Sequence, residues 1–300
     1  MKTSVTVAGV TFQNPVTTAS GTFGSGMEYS EYVDLSRIGA VTTKGVSSVP
    51  WPGNPTPRVA ETYGGMLNAI GLQNPGMEVF IARDIPYLRE HHAKIIVNVV
   101  GKTTEEYCAV VERLADCDID MLEINISCPN VKEGGIAFGQ DPRCVEAITS
   151  EIKKRAKQPV IMKLSPNVTD ITEMAKAAQA GGADALSLIN TLTGMKIDIN
   201  RRAFLLANKT GGLSGPAIKP VAVRMVYQVA NAVKLPVIGM GGITNAEDAL
   251  EFLMAGATMV AIGTANFINP RAVTGVVDGI EEYMNKYKVE DIQELIGCVK

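Results

Sequence analysis

The chain has 300 residues, of which 46% are hydrophobic and 20% charged, and its formal net charge is −3 at pH 7. This balance is typical of a globular protein with a sizeable core, and the mild charge argues against nucleic acid or an anionic membrane as a partner. Five irregularly spaced cysteines without a Cys-x-x-Cys pair argue against a zinc or iron–sulfur site held by this chain alone. No apolar run is long enough to span a membrane and no signal peptide is recognisable, so we expect a cytoplasmic protein.

A short hairpin is predicted first, from two apolar segments at residues 5–7 and 10–12. Eight further strands follow, most of them continuous aliphatic runs of the kind found in parallel strands that are covered on both faces. These strands are predicted at 16–19, 40–44, 95–100, 121–126, 160–164, 185–190, 237–240 and 259–262. The clearest amphipathic helices between them are predicted at 104–115, 141–157, 170–180, 219–233 and 246–255.

Eight alternating strand–helix units predict an α/β fold, a (β/α)8 TIM barrel that occupies residues 1–300 as one domain. A doubly wound sheet is the alternative, but the early Gly-x-Gly-x-x-Gly turn of its dinucleotide-binding form is missing. Three connections, 45–81, 127–140 and 191–220, are longer than the fold requires. Each follows the carboxyl end of a strand, where barrel enzymes carry their chemistry, and we expect ordered loops or lids there.

Polar residues and glycines end most of the predicted strands, at positions that a barrel interior normally fills with aliphatic side chains. A buried amide or ammonium group without a partner costs on the order of a few kcal/mol, so these side chains predict a polar ligand. In chain order they are Ser20, Lys44, Asn98, Asn125, Lys163, Asn190, Gly241-Gly242 and Gly263-Thr264. The glycines after the last two strands are typical of the phosphate site of such barrels.

Cys128 lies in the segment Asn-Ile-Ser-Cys-Pro-Asn at residues 125–130, just after a predicted buried strand. An isolated cysteine is more often a small buried hydrophobic residue, but its place among polar strand ends favours a reactive thiol. Two functions compete for Lys163: a Schiff base, as in barrel aldolases, or a cation beside a cofactor that gains negative charge. The asparagines favour the second, because amide groups suit a planar heterocycle with alternating donors and acceptors.

Together these segments resemble the dihydroorotate dehydrogenase family, in particular its class 1 B-type catalytic subunits. The most specific are the Asn-Ala-Ile-Gly-Leu-Gln-Asn segment at 68–74 and the Asn-x-Ser-Cys-Pro-Asn segment at 125–130. Further matching segments are 14–24, 43–45, 53–58, 163–166, 190–191, 212–216 and the two glycine turns. No departure is seen at a position that carries a family role.

The resemblance implies an FMN-containing barrel that oxidises dihydroorotate to orotate in pyrimidine biosynthesis. It implies that Cys128 is the base and that Lys163 stabilises the N1–C2=O edge of the flavin. The residues implied to hold FMN are Ser20, Lys44, Gly45, Asn98, Asn125, Lys163, Ile189, Gly215, Gly241, Gly242, Gly263 and Thr264. Those implied to hold the substrate are Lys44, Asn68, Ala69, Ile70, Gly71, Leu72, Asn125, Asn130, Asn190 and Thr191.

The B-type resemblance also implies a second subunit that carries FAD and a 2Fe-2S cluster and passes electrons to NAD, with a homodimer of this chain at the core of a heterotetramer. A-type relatives are homodimers that use fumarate, and the sequence alone does not separate the two acceptors. From the residues, two other classes stay open. One is a phosphate-binding Schiff-base lyase or aldolase, and the other is an inactive barrel that serves as a binding subunit.

Overall fold

A computed structural model describes residues 1–126 and 138–299. The strands, in chain order, are β1 (Val5–Val7), β2 (Val10–Phe12), β3 (Val16–Thr18), β4 (Val41–Thr42), β5 (Val59–Thr62), β6 (Gly65–Asn68), β7 (Ile95–Val99), β8 (Met121–Asn125), β9 (Val160–Lys163), β10 (Ala185–Leu188), β11 (Leu192–Met195), β12 (Ile197–Asp198), β13 (Ala203–Phe204), β14 (Thr210–Ser214), β15 (Val237–Met240) and β16 (Met259–Ile262). The helices are α1 (Met77–Val79), α2 (Ile85–Glu90), α3 (Thr104–Leu114), α4 (Pro142–Lys153), α5 (Ile171–Ala180), α6 (Lys219–Ala232), α7 (Ala246–Met254), α8 (Ala265–Ile268) and α9 (Ala272–Tyr287).

Within the described residues, eight parallel strands form a nearly closed barrel in the order β4-β7-β8-β9-β10-β15-β16-β3. Counted around the barrel from β3, this is also the order of the strands along the chain. The first and last strands of this sheet, β3 and β4, meet at a bridge between Thr17 and Ala40. Side chains complete the closure, since the Thr18 hydroxyl accepts a hydrogen bond from the Thr42 backbone N–H and donates one to its carbonyl oxygen. The predicted (β/α)8 barrel is therefore confirmed.

The helices begin where capping residues satisfy their first N–H groups. Thr103, Asp141, Asp170 and Asn245 each accept a backbone hydrogen bond at the start of α3, α4, α5 and α7. The buried faces of these helices pack on the barrel, whose strands consist almost entirely of buried residues. In the described part of the chain, none of the helices has the length and apolar character that crossing a bilayer requires.

Two of the long connections contain strands, so the expectation of loops or lids was incomplete. β5 and β6 come from the connection after β4, and β11 and β14 come from the connection after β10. They pair as an antiparallel sheet in the order β11-β14-β6-β5, with Gly212 opposite Asn68. The short pair β12 and β13 forms a separate hairpin. Glycines within β6 and β14 weaken the local strand signal, and the pairing partners lie far apart in the chain.

Candidate cofactor and substrate site

A cavity of about 550 Å³ lies at the carboxyl ends of the barrel strands, with residues of β5, β6 and β14 forming part of its wall. Most of the side chains and glycines that the sequence predicts for a site line this cavity. They are Ser20, Lys44, Gly45, Asn68, Ile70, Gly71, Leu72, Asn98, Asn125, Lys163, Ile189, Asn190, Thr191, Gly215, Gly241, Gly242, Gly263 and Thr264. Residues at or just after the ends of all eight barrel strands, together with residues of two long connections, therefore converge on one volume.

Three predicted site residues are not placed on the cavity. Ala69 is fully buried beside it and packs with Leu67 and Leu206 in a small core under the antiparallel sheet. Cys128 and Asn130 lie outside the described residues. The roles of Cys128 and Asn130 therefore stay predictions.

The charge of the cavity is positive. Lys44, Arg58 and Lys163 line it, and no aspartate or glutamate is found among its described lining residues. A low-dielectric cavity with this lining attracts an anionic ligand, such as one that carries a phosphate or a carboxylate.

Lys163, the last residue of β9, is only 4% exposed. Its ammonium group donates to the Ser20 hydroxyl at 3.2 Å and lies 3.5 Å from a carboxylate oxygen of Glu123. A buried cation needs such partners, because an unpaired one would carry a large desolvation cost. The Lys163 nitrogen is thus engaged by Glu123 and Ser20, whereas a Schiff base requires a nitrogen that is free to attack a carbonyl carbon.

Three asparagine side chains face the same space from β7, from β8 and from the turn after β10. Asn190 donates from its amide nitrogen to the Asn125 side-chain oxygen at 3.3 Å, and its own oxygen accepts from the Thr191 backbone N–H at 2.8 Å. The Asn125 backbone oxygen accepts from the Tyr107 hydroxyl at 2.7 Å. These contacts fix the position of the end of β8 relative to α3 and β10.

The turn after β15 brings its backbone close to the cavity because glycine occupies both of its first positions. Gly241 has φ +126° and Gly242 has φ +83°, a region that favours glycine. A Cβ atom on Gly241 would lie 2.9 Å from the Ala222 Cβ, and one on Gly242 would lie 2.9 Å from the Gly215 carbonyl oxygen. A side chain at either position would therefore clash with α6 or with the Gly215 backbone, so the turn can lie here only with glycine at both positions.

The same turn is held from outside the barrel by Asp248 in α7. Asp248 accepts hydrogen bonds from the Thr244 backbone N–H at 2.8 Å and from the Lys219 ammonium group at 2.7 Å. Burial alone would raise the pKa of Asp248, but the hydrogen bonds from Lys219 and Thr244 outweigh it and lower that pKa. The carboxylate form of Asp248 therefore stabilises the turn.

Sequence reasoning missed several residues of this region. Arg58, Gln73 and Ser214 line the cavity, and Glu123 and Ser187 lie buried beside it. A signal for Glu123 was present, since a carboxylate stands between Leu122 and Ile124 in an apolar strand, two residues before Asn125. Residues two apart on a strand share a face, so Glu123 belongs to the face that carries Asn125.

An enzyme-like barrel with a cationic, amide-lined cavity at its catalytic face is thus the class that fold and site define. The family model for dihydroorotate dehydrogenase matches residues 2–284, and the chain belongs to this family. It is 75% identical over 300 residues to the Lachnoclostridium phytofermentans protein named dihydroorotate dehydrogenase B (NAD(+)), catalytic subunit, with both chains covered completely. Proteins of the same name from Alkaliphilus oremlandii and Geotalea uraniireducens are 66% identical over 293 residues and 57% identical over 297 residues. These alignments cover 98% and 99% of this chain, and 97% of each relative. The predicted resemblance is confirmed.

Proposed function

We propose that this chain oxidises dihydroorotate to orotate with bound FMN, as the catalytic subunit of an NAD-linked enzyme of pyrimidine biosynthesis. The observation that carries the proposal is the convergence of Lys44, Lys163 and three asparagines on one cavity in a member of this family. The relatives named above are called B-type, NAD(+)-linked catalytic subunits, which favours NAD over fumarate as the final acceptor.

The residues present fit FMN. The cavity volume lies in the range of about 300–1,000 Å³ that is usual for small-ligand sites. The side-chain oxygen of Asn98 is buried and accepts no hydrogen bond from the described residues, so a donor group of a ligand could bind to it. The residues proposed to hold FMN are Ser20, Lys44, Gly45, Asn98, Asn125, Lys163, Ile189, Gly215, Gly241, Gly242, Gly263 and Thr264, with the glycine turns at the phosphate.

The substrate would bind on the side of the cavity formed by the two long connections. Lys44 pairs with the substrate carboxylate, while Asn68, Asn125 and Asn190 offer amide groups to the polar edge of the ring. The remaining proposed contacts are Ile70, Gly71, Leu72, Asn130 and Thr191, whereas the buried Ala69 supports this segment from behind. The wall containing Asn68 belongs to the antiparallel sheet, so that sheet would position the substrate.

The reaction removes a proton from C5 of dihydroorotate and a hydride from C6. FMN supplies the hydride acceptor. Cys128 takes the C5 proton on its sulfur, a role that rests on the family resemblance because this residue lies outside the described part of the chain. An ordinary cysteine thiol has a pKa of about 8.5 and is mostly protonated at neutral pH, so we expect the rate of this step to rise with pH.

Lys163 acts as a fixed positive charge in this proposal. Its contacts with Glu123 and Ser20 keep the ammonium group at the cavity wall, where it stabilises negative charge that develops on a bound ring. The same contacts oppose the Schiff-base alternative, in which this nitrogen would have to be neutral and free to attack a carbonyl carbon.

The electrons leave through a second subunit in this proposal. That subunit carries FAD and a 2Fe-2S cluster, and two copies of each chain form a heterotetramer around a homodimer of this chain. The relatives' name, catalytic subunit, supports the existence of such a partner. We propose a cytoplasmic location for the assembly.

The test is to purify the chain and to add dihydroorotate without oxygen. We expect a yellow protein that releases FMN on denaturation and whose flavin absorbance is bleached by dihydroorotate but not by succinate. Co-purification with the partner should then give NAD reduction. A colourless, folded protein that takes up no added FMN would overturn the proposal, and fumarate reduction by the chain alone would favour the A-type activity.

A further inference from the structure

Glu123 is a buried carboxylate that contacts Lys163 but is not among the residues proposed above to hold FMN or the substrate. It lies in the middle of β8 and is 2% exposed. One of its oxygens accepts a hydrogen bond from the Asn98 amide nitrogen at 2.6 Å and lies 3.5 Å from the Lys163 nitrogen. The other oxygen accepts from the Ser187 hydroxyl at 2.8 Å. Three donors from three other strands therefore converge on this one carboxylate.

Strand register creates this cluster. Glu123 lies directly opposite Asn98 in the pairing of β7 with β8, and Ser187 lies opposite Lys163 in the pairing of β9 with β10. Because β8 and β9 are also neighbours, all four side chains meet inside the barrel near the cavity. Asn98 and Lys163 line the cavity, whereas Glu123 and Ser187 lie behind them.

The carboxylate determines which way the Asn98 amide points. An ionised carboxylate only accepts hydrogen bonds, so the amide nitrogen of Asn98 must face it. The Asn98 oxygen is then turned away from Glu123, and it is the oxygen that lacks a partner among the described residues. Because of Glu123, Asn98 offers a hydrogen-bond acceptor, rather than a donor, to a ligand in the cavity.

The carboxylate also compensates the charge of Lys163. The ammonium group is almost fully buried, and Ser20 is a neutral partner. Glu123 is the negative charge that the described residues place against it, and a buried cation that loses such a partner carries an uncompensated charge.

We propose that Glu123 is a positioning residue of the flavin site, which sets the orientation of the Asn98 amide and moderates the positive charge that Lys163 presents to the flavin. This inference rests on the proposed function, because it requires that a flavin occupies the cavity. Its electrostatic consequence is a lower midpoint potential, since a nearby negative charge disfavours the electron-rich reduced flavin.

The test is Glu123→Gln, which keeps the shape of the side chain and removes its charge. The amide oxygen of the variant takes the place that faces Asn98 and Lys163, and its nitrogen faces the Ser187 hydroxyl. A neutral oxygen accepts more weakly than a carboxylate, so the Asn98 amide is held less firmly and we expect FMN to dissociate up to about tenfold more readily. We also expect the ratio of reduced to oxidised flavin at a fixed potential to rise at least about tenfold, which is about +30 mV for a two-electron couple. Equilibration with redox dyes measures the potential, and titration of the apoprotein with FMN measures the affinity.

Asp84→Asn is the matched control. Asp84 is also a buried carboxylate that accepts from a serine, Ser25, at 2.7 Å and pairs with a cation, Arg83, but it does not line the cavity. Its neutralisation should leave the flavin potential unchanged. A Glu123→Gln protein with the affinity and potential of the wild type would overturn the inference.

A second variant keeps the test open if Glu123→Gln does not fold. Ser187→Ala removes one donor but keeps the carboxylate, so the charge is less neutralised and the potential should fall, a shift of opposite sign. An unchanged potential in Ser187→Ala would contradict the inference. If the wild-type chain binds no FMN, the proposed function itself fails. If the wild type binds FMN but its variants have the same flavin potential and affinity, only the inference about Glu123 fails.

Discussion

The role of Lys163 could be predicted in part from the sequence, but its contact with Glu123 could not. A lysine at the end of an apolar strand already predicts a functional cation, and the structure places it on the cavity with Ser20 and Glu123 as partners. Its carboxylate partner was not predicted, because the contact depends on the alignment of β8 with β9. Single-sequence patterns identify polar residues in strands, but the register that joins them is a property of the assembled sheet.

Cys128 is the residue on which the proposed chemistry most depends. Cys128→Ala should leave the spectrum of bound FMN intact while dihydroorotate reduces the flavin at least about 100-fold more slowly, which is the usual size of a lost general base. Anaerobic stopped-flow measurement of flavin bleaching checks this. Cys144→Ala is the control, since Cys144 is a partly buried residue of α4 away from the cavity and its loss should not change the rate. A near-normal rate in Cys128→Ala would remove this thiol from the mechanism.

At the scale of elements, the alternation of apolar strands and amphipathic helices was sufficient to predict the barrel, and β15 and β16 have the predicted bounds. Two kinds of element were harder to predict from the sequence. One is a helix with glycines inside it, and the other is a strand whose pairing partner lies far away in the chain. α9 is an example, with Gly275 and Gly279 within the helix. Intrinsic propensity argues against helix there, and packing against the barrel overrides it.

The two glycines of α9 should respond oppositely to alanine. A Cβ atom on Gly279 would lie 2.5 Å from the Ala246 Cβ at the start of α7, whereas one on Gly275 would meet no atom within 4 Å. We expect Gly279→Ala to lower the free energy of unfolding by roughly 1–3 kcal/mol through overpacking. Gly275→Ala should raise it by about 0.5–1 kcal/mol through helix propensity. Urea denaturation of both variants measures the difference, and equal effects would contradict the close contact between α7 and α9.

For the molecule as a whole, partly buried carboxylates contribute to how stability depends on pH. Asp120 lies between β7 and β8 and accepts hydrogen bonds from Lys94 at 2.9 Å and from the Ile95 N–H at 2.8 Å. Burial alone would raise its pKa, but these hydrogen bonds outweigh burial and lower it. Asp248 has a lowered pKa for a similar reason. In both cases the folded state favours the charged carboxylate.

The sign of the pH effect follows. A carboxyl group whose pKa is lower in the folded state binds its proton more tightly when unfolded, where its pKa is about 3.9. The stability that Asp120 and Asp248 contribute is therefore fully present above that value and is lost as the pH falls through their folded pKa values. The urea concentration at the unfolding midpoint, measured from pH 7 to pH 3, should decrease once the pH is below about 4. The decrease should be less steep in Asp248→Asn. A midpoint that is constant down to pH 3 would contradict this.

The antiparallel sheet beside the cavity has a consequence for how this barrel can change over evolution. Asn68 and Gly212 are 144 positions apart in the chain, yet their backbones pair directly and the Asn68 amide also donates to the Gly212 carbonyl oxygen at 3.4 Å. If the connection after β4 were replaced by that of a distant homologue, its strand would have to pair with a β14 whose sequence is adapted to a different partner. The connections after β4 and after β10 are therefore expected to change together, and a grafting experiment must transplant both.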